Sequence, residues 1–463
     1  MITLRKVNEI LLLTGLFFFS FNDYEGIPFL GEFKKEAGAI FFLFGFFLMI
    51  VESGYSKKIS IPFKSTIFKT VLVFIAWCFI TTILNLPDVI NNYFKHTGGV
   101  NRFIRQYSSL LISTIIFFLF YWNVLIKMNT NDILFKIRKV FFLSLIVASV
   151  YGFLEAGVVF FGMHFLTPIL KLFDYFPFLE VVLDSSGAER ISSVCYEPPF
   201  LAIYLISIAG WMFSYVLTEK GVLKYIPTIV VLILTFFSAS RTGLLVVFFQ
   251  FFIFLTILHK NKKNRKNIGY SIIGLLILSS FLLIINGNKI IKAVSEKVES
   301  LNFSQNLTKN VSNQSRFGMQ YAALQVFKEN PIVGVGFGQL TYHARYNYPG
   351  WATRNNYEYD LFYKNSSEPS FPPSYNIYTR ILAETGIVGF LIILIIIYLT
   401  IKTTKTLVRN STDEKQILSY VLLISFSGLF VNWMQIDTFR MYGIWISLAI
   451  LIRLTQGNKV YNE

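Results

Sequence analysis

Runs of apolar residues recur along the whole of this 463-residue chain, with polar segments between them. A helix needs about 20 mainly apolar residues to cross the roughly 30 Å hydrocarbon core of a bilayer. Runs near that length lie at residues 7–21, 37–51, 67–86, 107–126, 139–163, 198–217, 222–238, 241–258, 268–286, 375–400, 417–436 and 438–453. Because 54% of the residues are hydrophobic and only 15% are charged, a soluble domain is excluded. The pattern predicts an all-α, polytopic membrane protein with about 12 transmembrane helices.

The positive charge is distributed unevenly between these runs. Lys and Arg concentrate in alternate segments, near residues 5–6, 57–64, 127–139, 260–266, 402–415 and 453–459. The positive-inside rule predicts that these segments and both termini are cytoplasmic. The remaining segments are assigned to the outer face: residues 22–36, 87–106, 164–197, 238–241, 287–374 and the surroundings of 437. Anionic membrane lipids then account for the net charge of +16, and no nucleic-acid partner is expected.

The long outer segments divide the chain into three parts. Residues 1–286 hold the first nine membrane helices, with the outer loop 164–197 among them. Residues 287–374 form a large outer loop, which is too long for a passive connection. Its many Tyr, Trp and Phe residues argue against disorder, and such rings either stack on sugars or line the membrane interface. Residues 375–463 hold helices ten to twelve and a cytoplasmic C-terminus.

Within the large loop, residues 314–329 have the pattern of an amphipathic helix, which Asn330 and Pro331 would end. Its apolar residues recur at helical intervals: Phe317, Tyr321, Leu324 and Phe327. We expect this helix to lie on the outer surface or to cap a cavity.

Arg241 lies between Ser238 and Gly243, where one apolar run ends on the outer face and the next begins almost at once. Its guanidinium fork matches phosphate oxygens bidentately, and its small neighbours leave room for a ligand. Because the positive-inside pattern disfavours Arg on the outer face, a functional role is favoured over the alternative of a snorkelling anchor at a helix end.

Glu197 precedes Pro198 and Pro199 at the outer mouth of the sixth run. The two prolines fix the backbone and start a helix. A carboxylate held at the membrane boundary can act as a general base. The alternatives are that Glu197 pairs with Arg190 or Arg241, or that it is simply a favourable charge near a helix N-terminus.

Further arginines on the outer face suggest an anionic ligand, such as a diphosphate. The candidates are Arg316 and, more weakly, Arg380, Arg102 and Arg105, with a solvated loop charge as the alternative for each. His343 is the only histidine of the large loop. Its imidazole is suited to proton transfer, although a lone histidine in a tyrosine-rich loop is more often structural.

No metal or nucleotide motif is visible in the sequence. Neither a Cys/His ligand spacing nor a clustered carboxylate pair occurs in an outer segment, so no metal or other cofactor is expected. Residues 330–338 are glycine-rich but lack the Lys of a nucleotide loop. Their glycines are expected to allow a tight turn or a close approach of two backbones. The energy must therefore come from the substrate or from a gradient.

Several of these elements follow one another in a characteristic order. They are Ser240–Gly243 at the head of a run, Arg316 at the start of the loop helix, residues 330–338, Tyr375–Tyr378 and Leu382–Gly389. In this order, residues 238–390 resemble the O-antigen polymerase and ligase superfamily of bacterial envelope glycan assembly. Glu197 with its two prolines is also similar to an acidic element of many such polymerases. The strong part of the resemblance covers about a third of the chain.

The resemblance implies an all-helical, GT-C-like membrane glycosyltransferase of the bacterial inner membrane, with its active site facing the periplasm. Members of the superfamily transfer a glycan from an undecaprenyl-diphosphate carrier. Arg241 and Arg316 would then clamp the diphosphate, while Glu197 or His343 assists the acceptor hydroxyl. Further substrate contacts would come from Arg102, Arg105, Arg190, Tyr375 and Arg380. A membrane protein that regulates chain length is an additional candidate partner.

The acceptor distinguishes the two activities of the superfamily: another carrier-linked repeat unit for a polymerase, and the lipid A core for a ligase. Ligase-like members commonly carry His before the Asn-x-Tyr-like element that opens the tenth run, whereas this chain has no His in residues 373–376. The expected function is therefore polymerisation of repeat units into O-antigen or a similar surface polysaccharide, with ligation as the alternative. A flippase or another transporter is a third reading, which requires buried charges within the spans. The chief candidate for such a charge is Glu155.

Overall fold

The computed structural model describes most of the chain between residues 4 and 456. Not described are residues 25, 57–58, 177, 181–182, 184–189, 261–264, 266–267, 271, 274–294, 296–310 and 369. Most of the predicted run 268–286, and the predicted start of the large loop at residue 287, therefore lie outside the described residues.

The described chain is built from helices. Their bounds are α1 Leu4–Phe17, α2 Ala37–Ser56, α3 Thr66–Leu84, α4 Leu86–Asn91, α5 Gly99–Leu111, α6 Phe118–Leu125, α7 Thr130–Phe161, α8 Thr167–Lys171, α9 Pro198–Phe213, α10 Tyr215–Thr218, α11 Ile226–Phe237, α12 Arg241–Lys260, α13 Val311–Glu329, α14 Leu340–Ala344, α15 Gly350–Thr353, α16 Tyr357–Tyr359, α17 Ile377–Asn410, α18 Asp413–Asn432 and α19 Tyr442–Gln456. Among the described residues, strand structure is limited to an antiparallel pair, β1 Tyr93–Phe94 and β2 Thr97–Gly98. The predicted all-α class is confirmed.

Eight of the described helical segments are long and apolar enough to cross a membrane. They are Ala37–Gly54, Thr66–Leu84, Gly99–Leu125, Thr130–Phe161, Pro198–Thr218, Arg241–Lys260, Ile377–Asn410 and Asp413–Asn432. The shorter apolar segments Leu223–Phe237 and Tyr442–Gln456 accompany them. Together with α1, these segments overlap every predicted run except 268–286. The protein is a polytopic, all-α membrane protein.

One outer segment is more helical than predicted. Residues 87–106 were expected to form a loop, but α4 and the first turns of α5 lie within it. Hydropathy alone misses these turns because the first half of α5 is amphipathic, with polar residues at Asn101, Arg102 and Gln106. Arg102 and Arg105 therefore project from a helix that continues into the bundle through the π-helical residues 112–117.

The glycine-rich segment 330–338 packs directly on the backbone of α17. That helix is interrupted at Gly386, where φ is 65° and ψ is −170°. The Gly336 N–H donates a hydrogen bond of 2.9 Å to the Glu384 carbonyl. A Cβ atom on Gly334 would lie 2.4 Å from the Glu384 carbonyl carbon. The glycines thus permit a close approach of two backbones, as predicted.

The loop helix α13 packs against α17, but the predicted apolar stripe is not its buried face. Its buried side is made mainly of small residues: Asn313, Gln314, Ser315, Gly318, Met319, Ala322, Ala323 and Val326. By contrast, Tyr321 is 45% exposed and Leu324 is 39% exposed. Small side chains let the two helix axes approach closely, and this close packing decides the orientation over the aromatic periodicity.

Candidate active site

Arg241 is the first residue of α12, directly after a sharp turn. Ala239 adopts a positive φ of 51° there, which reverses the chain between α11 and α12. The Ser240 hydroxyl caps the new helix by accepting a hydrogen bond of 3.2 Å from the Gly243 N–H. Gly243 also packs closely on Ala202 of α9, since a Cβ at Gly243 would lie 2.6 Å from the Ala202 Cβ. These contacts hold Arg241 beside the first turns of α9.

Arg316 is brought close to Arg241 by the fold, although the two are far apart in sequence. The two positive charges repel each other, and neither arginine has an ion-pair partner among the described residues. The Arg316 guanidinium lies 5.2 Å from the ring centroid of Tyr375. Its Nε donates a hydrogen bond of 3.2 Å to the Ser312 hydroxyl, one helical turn earlier. Two neighbouring cations without an ion-pair partner are typical of an anion-binding site.

Tyr375 is held in an unusual conformation next to this arginine pair. Its φ is 56°, in the left-handed region that non-glycine residues rarely adopt. The phenol hydroxyl donates a hydrogen bond of 3.2 Å to the Glu358 carboxylate. Burial raises the pKa of Tyr375, so the phenol stays protonated. The following residue, Asn376, caps α17 by accepting from the Tyr378 and Thr379 N–H groups.

Glu197 lies at the N-cap of α9, as its two prolines predict. The side chain is exposed and makes no capping hydrogen bond, which leaves the carboxylate at the surface. Because α9 and α12 pack together at Ala202 and Gly243, Glu197 and Arg241 open neighbouring helices. Arg190 precedes Ile191, whose N–H donates a hydrogen bond of 3.1 Å to the carbonyl of Phe237, near the end of α11.

Glu155, a buried acidic residue of α7, anchors the segment that carries Arg190 and Glu197. One carboxylate oxygen accepts from the Ser192 N–H at 3.2 Å, and the other accepts from the Ser193 N–H at 2.7 Å. Glu155 is fully buried. Both carboxylate oxygens accept hydrogen bonds from backbone amides, so the described structure gives this carboxylate a positioning role.

His343 lies in α14, in a different environment from the arginine pair. Burial lowers its pKa, while Asp88 and Glu329 act in the opposite direction and Arg345 lowers it further. Its Nε2 is buried without a hydrogen-bond partner among the described residues. The imidazole is therefore neutral near pH 7.

A second group of basic residues lines a cavity of about 420 Å³. Its walls come from residues 32–34, 102–110, 370–373 and 437–440, which lie in or directly beside segments assigned to the outer face, together with residues 337 and 380. Arg102, Arg105 and Arg380, predicted separately from the sequence, meet here. An adjoining cavity of about 470 Å³ shares Lys34 and Arg440 with it.

Most arginines of this cavity are paired with acidic residues. Arg105 forms an ion pair of 2.9 Å with Glu32, and Arg440 forms one of 3.0 Å with Glu36. Burial opposes ionisation of Glu32, but the charges of Arg440, Arg102 and Arg105 hold the pKa of that carboxyl below its usual value. Burial raises the pKa of Glu36 despite the opposing effect of Arg440.

Arg380 is fixed by three protein groups at the base of the same cavity. It forms a buried ion pair of 3.1 Å with Glu384 and donates to the Asp437 carbonyl at 2.6 Å and to Gln106 at 3.0 Å. Glu384 in turn accepts from the Leu340 N–H at 3.4 Å. Arg380 thereby ties α17 to α5 and to the connection before α19.

Sequence reasoning missed Lys34, Glu32 and Arg440 as members of this group. Arg440 lies in the short outer connection around residue 437, where the positive-inside rule disfavours Arg. The same signal pointed to Arg241 and would have pointed to Arg440. The acidic partners gave no comparable signal because their contacts join distant residues: Glu32 and Arg105 are 73 positions apart, and Glu36 and Arg440 are 404.

Comparison with known proteins bears on the part of the chain that holds Arg241, Arg316 and Tyr375. Residues 226–394 match the family model described as O-antigen ligase. No curated protein shows a significant match to the chain. The matched region contains the arginine pair, the glycine-rich segment and the interrupted helix α17. Proteins of this family are glycosyltransferase-like enzymes that act on lipid-linked glycans. Residues 226–394, a little over a third of the chain, are thus similar to the O-antigen polymerase/ligase superfamily.

Proposed function

We propose that this protein polymerises undecaprenyl-diphosphate-linked oligosaccharide repeat units into O-antigen or a similar surface polysaccharide. The reaction takes place at the periplasmic face of the bacterial inner membrane, with both termini in the cytoplasm. The growing glycan on one carrier lipid is the donor, and the terminal sugar of another carrier-linked unit is the acceptor. A chain-length-regulating membrane protein is a further proposed partner.

The observation that carries this proposal is the proximity of Arg241 and Arg316 without a neutralising carboxylate among the described residues. A diphosphate is a multiply charged anion that two guanidinium groups can hold through several charge-assisted hydrogen bonds. As the glycosidic bond breaks, negative charge grows on the departing diphosphate oxygen. Positive groups fixed in advance at that point stabilise the transition state more than the ground state.

The reaction balances without a cofactor. The acceptor hydroxyl oxygen attacks the anomeric carbon of the donor glycan, and the bond from that carbon to the diphosphate oxygen breaks. Undecaprenyl diphosphate leaves with the bonding electron pair, and a base takes the hydroxyl proton. Glu197 is our preferred base because it opens α9 beside Arg241, whereas the charged groups that influence His343 are Asp88, Glu329 and Arg345.

The test is complementation of a strain that lacks the gene. Arg241→Gln and Arg316→Gln should each reduce polymer formation by about 100-fold or more, because each removes a charge-stabilising donor. Arg354→Gln is the matched control, since Arg354 is an exposed arginine of the same loop. Normal long-chain polymer with either test variant, at normal protein level, would contradict the proposal.

The same strain separates polymerisation from ligation. A polymerase deletion should accumulate single carrier-linked repeat units, because units cannot be joined. A ligase deletion should instead accumulate long polymer on the carrier lipid and lose attachment to the lipid A core. Analysis of the carrier-linked fraction by mass spectrometry therefore decides between the two activities.

A further inference from the structure

We infer that the cavity containing Arg102 binds a carboxylate-bearing sugar of the glycan substrate. This inference rests on the proposed function for the identity of the substrate. It assigns to the protein a second anion site, separate from the Arg241 and Arg316 pair and dedicated to an acidic residue of the repeat unit rather than to the carrier diphosphate.

Arg102 has a guanidinium group that is stacked on an aromatic ring and lacks a full set of hydrogen-bond partners among the described residues. Its guanidinium carbon lies 4.3 Å from the ring centroid of Phe371. Its Nε is buried and has no hydrogen-bond partner among the described residues. Arg102 also lacks an ion-pair partner within that part of the chain, unlike Arg105 and Arg380 beside it. Buried donors without a partner are costly, and a bound acceptor would satisfy this one.

The cavity around Arg102 has more basic than acidic residues in its described lining. Its described cationic residues are Lys34, Arg102, Arg105, Arg380 and Arg440. The described acidic residues are Glu32 and Asp437 in the wall, with Glu36 paired to Arg440 and Glu384 paired to Arg380. Two carboxylates thus line the cavity against five cations, and the ion pairs with Glu36 and Glu384 offset two more of the positive charges. Among the described residues, one positive charge is left without a counter-charge. A single carboxylate supplies that counter-charge, whereas a diphosphate would bring an excess.

The size and the aromatic lining of the cavity suit a sugar ring. Phe337, Phe371 and Phe439 contribute aromatic surface next to the cations. Aromatic rings present apolar faces on which a sugar ring can stack. The volume of about 420 Å³ lies within the range of about 300–1,000 Å³ that is usual for small-ligand sites. A wall that combines aromatic faces with an unpaired guanidinium fits a sugar that carries an acidic group.

The cavity and the pair of Arg241 and Arg316 are connected by one short segment of the chain. Residues 370–373 line the cavity, and Tyr375 contacts Arg316 only two residues later. One extended segment therefore borders both sites. A glycan that reaches from the reacting sugar toward this segment can place a nearby acidic residue against Arg102.

The test uses the full-length protein in lipid nanodiscs and lipid-linked repeat units extracted from a strain that lacks it. Part of the substrate is treated with carbodiimide and borohydride, which converts uronic acid carboxylates into neutral alcohols. Initial polymerisation rates then give KM and kcat for native and reduced substrate. The enzymes compared are the wild type, Arg102→Gln and the control Arg354→Gln.

We expect carboxyl reduction to raise the wild-type KM about tenfold, as loss of a charge-assisted hydrogen bond should. Arg102→Gln should raise KM for the native substrate by a similar factor and should show no further loss on the reduced substrate. The value of kcat should stay close to that of the wild type, and Arg354→Gln should behave as the wild type.

Three results would overturn the inference: a repeat unit without a carboxylate sugar, an unchanged KM for Arg102→Gln, or independent effects of the variant and the reduction that multiply. Failure of the proposed function gives a different result, namely no polymer from the wild-type protein. In that case, calorimetric binding of the free repeat-unit oligosaccharide, native against carboxyl-reduced, still tests the Arg102 site. Equal binding of the two forms would then reject it.

Discussion

Gly386 and Ile332 are in such close contact that a Cβ atom on Gly386 would lie 2.0 Å from the Ile332 carbonyl oxygen. This contact lies where the glycine-rich segment of the large loop meets the break in α17. The contact is close to both candidate sites, because α17 carries Arg380 and begins two residues after Tyr375. Substitution at this junction should therefore affect both stability and activity.

The first prediction concerns this junction. Gly386→Ala should destabilise the protein by about 3 kcal/mol or more, because the new methyl group clashes with backbone and φ is 65° there. Thermal unfolding of the detergent-purified protein measures the effect. Gly350→Ala is the control, since its Cβ would meet nothing within 4 Å. Equal melting temperatures for the two variants would show that the contact is looser than described.

The second prediction concerns the ion pair between Arg380 and Glu384, whose side chains are 8% and 3% exposed. Glu384→Leu alone should cost about 3–5 kcal/mol, because it leaves a buried guanidinium without its counter-charge. Adding Arg380→Met should recover part of that loss. The comparison is a double-mutant cycle measured by thermal unfolding. Additive effects would mean that the two charges do not depend on each other.

A matched control for the cycle is the pair of Lys364 and Asp360. Its separation is 2.7 Å, but the side chains are 65% and 54% exposed. Solvent screens such a pair, so Lys364→Met should leave the melting temperature unchanged. A loss equal to that of Glu384→Leu would indicate that burial is not the cause.

The third prediction concerns pH. Burial lowers the pKa of His343 below its usual value of 6.5, so the folded protein binds a proton less readily than the unfolded chain. The resulting stability is present above the unfolded pKa and is lost as pH falls from about 6.5 toward the folded pKa. The wild type should therefore lose stability on acidification more steeply than His343→Gln. Melting temperatures measured across this range test the expectation.

The exposed residue His164 provides the control for this experiment. His164→Gln should retain the steep pH dependence of the wild type, because this variant leaves the buried His343 in place. If His343→Gln and the wild type had the same pH profile, the buried imidazole would not be the source of the effect.

The fourth prediction separates positioning from transport. Glu155→Gln should lower stability by about 1–3 kcal/mol, because an amide nitrogen would face the Ser192 or Ser193 N–H donors. Polymer formation should fall with the fraction of folded protein, and rescue by Glu155→Asp should be partial. A proton-carrying carboxylate behaves differently: Glu155→Gln would keep the melting temperature and abolish activity.

Local sequence properties predicted much of the fold. The apolar runs predicted the positions of the described spans. Pro198 and Pro199 predicted a helix start directly after Glu197, where α9 begins. Both features depend on a few neighbouring residues, which the sequence displays directly. The same local view misjudged α13, because periodicity identified its aromatic side while packing against α17 selected the side with small residues.

The candidate sites show more clearly what the sequence alone could not predict. The sequence identified Arg241, Arg316, Arg102, Arg105 and Arg380 as unusual charges for segments that are predicted to lie at the outer face. Only the tertiary structure separated them into a pair without ion-pair partners in the described part of the chain and a cavity lined with aromatic residues. Only it added Arg440, whose partner Glu36 is 404 residues away. Hydropathy and charge are properties of single segments, whereas a binding site depends on which helices pack side by side, and close packing of the whole bundle decides that.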